Sequence, residues 1–202
     1  MTVVLVEGAS DQFALEALAE RRGHDLAAAG VSIAAMGGAT NIGSFVERFG
    51  PHGRGACLAG LCDAGEVNAF RRALEAGGLG ANFDRAGMEV HGFYVCDVDL
   101  EDELIRAVGV DAVLHVVDAQ GELGSFRTLQ KQAAQQGRPV EAQLRRFMGS
   151  KSGRKMRYAR LLVEALDLSF VPRPLAGVLT FALAAATGDG LVEGLPTELY
   201  ER

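Results

Sequence analysis

Acidic residues recur where apolar runs end. The run Thr2 to Val6 stops at Glu7, with Asp11 one helical turn further on. The run Ala56 to Cys62 stops at Asp63. The run Val90 to Cys96 stops at Asp97, followed by Asp99 and by Glu101, Asp102 and Glu103. Carboxylates held close together repel, so sharing one edge is costly unless something positive sits among them. Hard divalent cations with oxygen ligands, Mg2+ or Mn2+, match that need. Asp63 and Asp99 also have a simpler use, as caps for the helices that follow them. Capping alone does not explain Glu7, Asp63, Asp97 and Asp99 together, because a cap has no need to share an edge with three others.

The elements that would gather these acids alternate in kind. Thr2 to Val6, Val31 to Ala35, Ala56 to Cys62 and Val90 to Cys96 read as strands. Ser10 to Arg22, Asn41 to Phe49, Glu66 to Ala76 and Leu100 to Val108 read as helices, with Ser10 as the expected N-cap of the first. Strand–helix alternation predicts an α/β fold with a parallel sheet of about four strands and helices on its faces. In such sheets ligands bind at the carboxyl ends of the strands, where the acids fall. After about residue 110 no strand pattern remains. Asp111 to Ala119, Ser125 to Gln136, Val140 to Met148, Lys155 to Leu166 and Pro174 to Ala186 read as helices separated by Gly or Pro. The expected organisation is an α/β domain over 1–109 and a helical extension over 110–202.

Composition narrows the alternatives. The 202 residues are 49% hydrophobic and 23% charged, which fits a folded domain and excludes disorder as the main state. The net charge of −6 excludes an evenly basic nucleic-acid coat but not a local basic patch. Cys57, Cys62 and Cys96 lack zinc-ligand spacing and read as buried free thiols, in keeping with a reducing cytoplasm. His24, His52, His91 and His115 form no pair at ligand spacing. No run approaches the roughly 20 apolar residues of a membrane helix. The start MTVVLVEG lacks the basic and long apolar regions of a secretory leader, so a cytoplasmic location is expected.

These motifs resemble the TOPRIM domain, a Rossmann-like fold found in topoisomerases, bacterial primases and OLD-family (overcoming lysogenization defect) nucleases. VLVEGASDQFALEAL resembles the first TOPRIM motif, and FYVCDVDLEDELIRAVG the later Asp-x-Asp motif in its OLD-family form. LCDAGE is similar to the extra acidic position of the nuclease branch, and GGATNIGSF to its turn after the second strand. The resemblance spans roughly residues 2–108. It implies that Glu7 is a metal ligand or general acid/base, and that Asp11, Asp63, Asp97 and Asp99 are metal ligands. Glu101 falls where relatives often carry a further acid. Two Mg2+ or Mn2+ ions are implied.

The second half carries its own signal. RRFMGSKSGRKMRYAR, from Arg145 to Arg160, holds seven basic residues and no acid. It reads either as a solvated basic face or as a phosphate-binding segment formed by Arg145, Arg146, Lys151, Arg154 and Arg157. KMRYARLL resembles the Lys-Gly-Arg-Phe-Ala pattern of OLD-family nucleases, which implies that Lys155 is the catalytic lysine, with Lys151 in reserve. Met156 replaces the family glycine. Tyr158, the tyrosine of this segment, has no assigned general base.

The function implied is metal-dependent hydrolysis of phosphodiester bonds in DNA, with RNA left open. The resemblance also allows a homodimer. No G-x-x-x-x-G-K-[ST] motif occurs, so no nucleotide cofactor is expected, and the ATPase domain of OLD proteins would act from a separate subunit if at all. The alternative is a non-catalytic nucleic-acid-binding or assembly subunit. Primase-like nucleotidyl transfer ranks last, for want of the accessory zinc module.

Overall fold

The computed structural model describes residues 1–151 and 153–188. Four strands, β1 (Thr2–Val6), β2 (Val31–Ala35), β3 (Cys57–Asp63) and β4 (Phe93–Cys96), form one parallel sheet in the order β2-β1-β3-β4. Helices α1 (Ala9–Arg21), α2 (Ile42–Phe49), α3 (Val67–Ala76) and α4 (Arg85–Val90) lie between the strands. The described remainder is helical: α5 (Leu100–Val108), α6 (Val110–Ala119), α7 (Leu123–Gln130), α8 (Val140–Met148), α9 (Arg154–Ala165) and α10 (Arg173–Thr187). This is the α/β sheet that the alternation of patterns predicts.

The strands are mostly apolar, and β1 and β3 are buried along nearly their whole length because both sheet faces are covered there, while edge strand β2 exposes Ser32. Side chains alternate between those faces. Val3, Leu5, Leu58, Cys62 and Val95 join one core with Ile42 and Val46 of α2, Phe70 and Leu74 of α3 and Met88 of α4. Val4, Val6, Ala59, Leu61 and Cys96 join the other, with Leu15 and Leu18 of α1, Leu104 of α5, Tyr158 and Leu162 of α9 and Leu175 of α10. Phe126 of α7 and Phe147 of α8 belong to that second core as well. The boundary near residue 109 therefore marks a change of sequence pattern, while the described helices beyond it share a core with the sheet. Helix α10 lies against β3, β1 and β4, and a Cβ on its Gly177 would overlap the Tyr94 ring. That overlap explains a glycine inside a helix, where it otherwise costs about 1 kcal/mol.

Register brings the strand ends level. Val6 pairs with Ala35 and Leu61, and Asp63 pairs with Cys96. Strand order reverses between β1 and β3, the switch point at which open α/β sheets hold their ligands. Glu7 and Asp63 stand on either side of it.

Local expectations needed correction. Ser10 is not the N-cap of α1; Gly8 is, and Ser10 is buried in the first turn. The Asp11 carboxylate reaches back to accept from the Gly8 N–H (2.8 Å), the reciprocal half of a capping box, while no side chain makes the forward cap bond a serine was expected to make. Residues 90–96 are not one strand. Helix α4 fills Arg85–Val90 and ends at a positive-φ Gly92, leaving a four-residue β4. Ser125 to Gln136 is split between α7 and a short 3-10 turn at Ala133–Gln135. Cys62 and Cys96 are buried free thiols, and Cys57 is half-buried. Burial pushes the Cys62 thiol up to about 12. Among the described residues no helix is long and apolar enough to cross a membrane.

Candidate active site

Each acid reaches the sheet edge by a different route. Glu7 follows the last residue of β1 and is half-buried. Its carbonyl accepts from the Gly38 N–H (3.0 Å), which ties the Gly37–Gly38 turn after β2 to the same edge. Asp11, 8% exposed, sits in the first turn of α1. Asp63 ends β3 and makes no side-chain cap bond, so capping does not account for it. Asp99 does cap α5, accepting from the Asp102 N–H (2.9 Å), and its other oxygen lies 3.5 Å from Arg145. Glu101 is buried in the first turn of α5.

Lys155 stands among these acids. Its Nζ lies 3.1 Å from Glu101 Oε2. A cation in the first turn of a helix opposes the macrodipole, so this pairing, rather than α9 itself, favours it there. Helix α9 starts at Gly153, whose φ of 75° suits glycine, and runs along α1. At the far end Arg21 donates to the carbonyls of Val163 (2.6 Å) and Leu166 (2.8 Å). That clamp joins the C-terminal ends of the two helices, so both helices begin at the acidic edge.

The charges register one another. Burial pushes the Asp63 carboxyl up to about 7, with Asp11, Asp99 and Glu7 adding to the rise. Burial likewise raises Glu101 to about 7, although Lys155 opposes it. Burial and then Asp11 raise Glu7. Burial raises Asp11 despite the Gly8 N–H and Lys155. Burial would lower Lys155, but Glu101, Asp11 and Asp63 outweigh it and hold the ammonium above its ordinary value. One lysine among five acids leaves surplus negative charge.

Asp97 is not brought into this group. The strand ends at Cys96, and the Asp97 side chain lines a separate cleft of about 490 Å3 beside Arg85, Arg106 and Arg173. It pairs with Arg85 (2.9 Å) and Arg106 (3.7 Å), while Glu103 accepts its backbone N–H (2.8 Å). The two aspartates of the Asp-x-Asp motif therefore face different surroundings.

The basic segment also divides. Arg145, Arg146 and Lys155 line a cleft of about 280 Å3 with Asp99, Glu101 and Arg138. Arg138 has no place in the sequence reading; it lies seven residues before Arg145, outside the acid-free run. Lys151 is exposed. Arg154 corrects the reading of this segment as a phosphate-facing row. It is 4% exposed, pairs with Glu122 (2.9 Å) and lies 4.0 Å over the Phe147 ring. Arg157 (2.6 Å) and the Tyr158 hydroxyl (2.9 Å) also donate to Glu122. Tyr158 is fully buried, and burial followed by Glu122 raises its phenol, so it is not poised as a nucleophile. Nothing in local spacing marks Glu122, which is 32 residues from Arg154.

The donor set fits a hard divalent cation: carboxylate oxygens only, surplus negative charge, and a buried Glu101 Oε1 with no hydrogen-bond partner. The shell is not preassembled, because among the described residues no three His, Cys, Asp or Glu side chains converge at ligand spacing. Of these acids Glu7 and Asp11 line a cleft of about 340 Å3, together with Ala9, Gly37, Gly38, Lys155 and Met156.

Comparison with known proteins bears on the fold. Residues 1–55 match the family described as overcoming lysogenization defect protein-like, TOPRIM domain. The fold is that of the C-terminal region of the Xanthomonas campestris pv. campestris OLD protein (TM-score 0.74, 23% identity, 93% of this chain and 94% of that one). It is equally that of the C-terminal region of the Burkholderia pseudomallei OLD protein (TM-score 0.71, 20% identity, 92% and 98%). No curated protein matches the chain. The chain resembles the TOPRIM domain of OLD proteins, in its first 55 residues by sequence and over nearly its whole length by fold.

Proposed function

We propose that this chain hydrolyses phosphodiester bonds in nucleic acid, DNA first, with divalent cations held by Glu7, Asp11, Asp63, Asp99 and Glu101. The observation that carries the reading is the placement of Lys155 among five carboxylates at the sheet's switch point, beside a cleft lined by Arg138, Arg145 and Arg146. The resemblance to OLD TOPRIM domains supports the same nucleic-acid-processing role. When bound, Mg2+ or Mn2+ supplies Lewis-acid charge and lowers the pKa of the attacking water.

The chain's own residues do the rest. Lys155 places a fixed positive charge where the scissile phosphate gains negative charge in the transition state. Its bond to Glu101 orients it before substrate arrives. Arg138, Arg145 and Arg146 hold flanking phosphates and read no sequence. Asp97 becomes a ligand only by giving up Arg85 and Arg106. A homodimer is the assembly in which such a domain would cut both strands, and an ATPase acting with it would serve as a motor.

Nicking of supercoiled plasmid in Mg2+, Mn2+ or EDTA tests the reading. Cleavage should require metal and fall by about 10²–10³ in Asp11→Asn and Lys155→Ala. Asp97→Ala run beside them shows whether that side chain is a ligand in the working enzyme. Absence of cleavage with every metal, alongside salt-sensitive DNA binding that survives Asp11→Asn, would favour a binding subunit instead.

A further inference from the structure

An apolar groove runs from the acidic cleft between α1 and α9. Phe13 of α1 is 40% exposed, whereas Ala14, Leu15, Ala17 and Leu18 of the same helix are at most 1% exposed. Met156 of α9 is 37% exposed. With Gly153 and Leu161 the two residues line a groove of about 430 Å3, rimmed by Arg157, Arg160 and Glu164.

The groove continues the candidate active site. Met156, next to Lys155, lines both the acidic cleft and the groove. On α1 the same step is made by Ala9 in the cleft and Phe13 in the groove, one turn apart on one helix face. Such positions lie about 5–6 Å apart, less than two stacked nucleotide steps of about 3.4 Å. A polynucleotide lying against Lys155 therefore has a neighbouring base within reach of Phe13.

We propose that this groove stacks an unpaired nucleobase next to the scissile phosphate, so the site takes single-stranded or locally unpaired nucleic acid. The proposal rests on the phosphodiesterase reading above. In a duplex each base is stacked and paired inside the helix, and only a splayed base offers its face to an aromatic ring. Phe13 supplies the ring and Met156 a polarisable floor. Arg157 and Arg160 bring cations to the rim for the backbone. Their ion pairs with Glu122, Glu20 and Glu164 leave both arginines nearly half exposed, and the Arg160 pairs are surface pairs that cost little to exchange.

Anisotropy titrations of a labelled single strand and of a hairpin duplex test this with wild type, Phe13→Ala and Phe13→Trp. A parallel series places 2-aminopurine at successive positions, where stacking quenches its fluorescence. Wild type should prefer the single strand and quench the probe at one or two positions. Phe13→Ala should lose about fivefold or more in single-strand affinity, lose the quench, and leave duplex affinity unchanged. Phe13→Trp should restore both. Equal affinities for Phe13→Ala and wild type, or equal losses on both substrates, overturn the groove; metal-dependent plasmid nicking that persists would then leave the phosphodiesterase reading intact. No binding to either nucleic acid overturns both. A dimer that Phe13→Ala turns into a monomer, with binding unchanged, would make the groove an interface between copies and overturn the proposal.

Discussion

Two clusters of charge lie at opposite ends of one lysine-arginine pair, and they are built on contrary principles. At Glu122 one carboxylate receives Arg154, Arg157 and Tyr158. At the sheet edge Lys155 pairs with Glu101 and offsets the charges of Glu7, Asp11 and Asp63, while Asp99 leans on Arg145. Burial alone would raise Glu122, but its three donors outweigh that and hold it below its ordinary value. Glu7, Asp11, Asp63 and Glu101 at the edge are held above theirs. Arg154 and Lys155 are sequence neighbours, so adjacent positions at the start of α9 serve a closed structural knot on one side and an open site on the other. The Glu122 cluster, in which the buried Arg154 Nε alone finds no acceptor, fixes the helix. An unsatisfied one stores electrostatic cost that a cation or substrate would relieve.

Breaking the knot should have the larger effect on stability. Glu122→Ala strips the anion from Arg154, whose side chain is 3% exposed and keeps only the neutral Phe147 carbonyl and Ser150 hydroxyl as acceptors. Losing one partner of a buried pair costs about 3–5 kcal/mol. Urea denaturation followed by circular dichroism should show that loss. A change below about 1 kcal/mol would mean that water reaches Arg154 and that the knot is ornamental. Arg157→Ala, at the exposed side, should cost far less.

The open cluster should behave in the contrary sense, through pH. Asp63 and Glu101 have folded pKa values of about 7 against ordinary values of 3.8 and 4.5. The folded state therefore binds more protons than the unfolded one between those limits, and stability falls as pH rises through 7. Each tenfold difference in proton affinity between the two states corresponds to about 1.4 kcal/mol, and coupling between the two acids makes their joint loss smaller than the sum. Lys155 stays protonated over this window and lessens the cost of ionising Glu101 and Asp63. In EDTA the urea midpoint should drop between pH 5 and pH 8. Asp63→Asn should flatten that slope, and Mg2+ should raise the midpoint more at pH 8 than at pH 5. A midpoint that climbs with pH would show that the edge is already neutralised.

The contrast also explains what the sequence could reveal. The strands were legible because both faces of the sheet are covered, so each strand is a short apolar run. The acids stood out because three apolar runs stop at a carboxylate, and the nearly level register of β1 and β3 then brings Glu7 and Asp63 to one edge. Lys155 was legible by its resemblance to a motif. The division of Asp97 from Asp99 was not, because it depends on where β4 stops and which arginines flank it. Arg85 comes from α4, a six-residue helix that no periodicity distinguishes from the strand after it. The burial of Arg154 was hidden for the same reason. In a run of cations nothing local says which one has a distant glutamate behind it.

Arg138 gives the smallest expected effect and separates the two clusters most finely. It lines the cleft with Arg145 and Arg146, is exposed, and lies in the turn before α8. Unlike Arg154 it has little burial to lose, so Arg138→Ala should leave the urea midpoint within about 0.5 kcal/mol of wild type. Unlike Lys155 it stands on the flank of the acidic cleft, so the turnover rate at saturating DNA should persist. What should change is salt dependence. Each phosphate contact contributes about one unit to the slope of log affinity against log salt, and DNA binding by Arg138→Ala should lose about that much, equally for every sequence tested. An unchanged slope would remove Arg138 from the DNA path and leave Arg145, already drawn toward Asp99, and Arg146 as the cations facing the backbone.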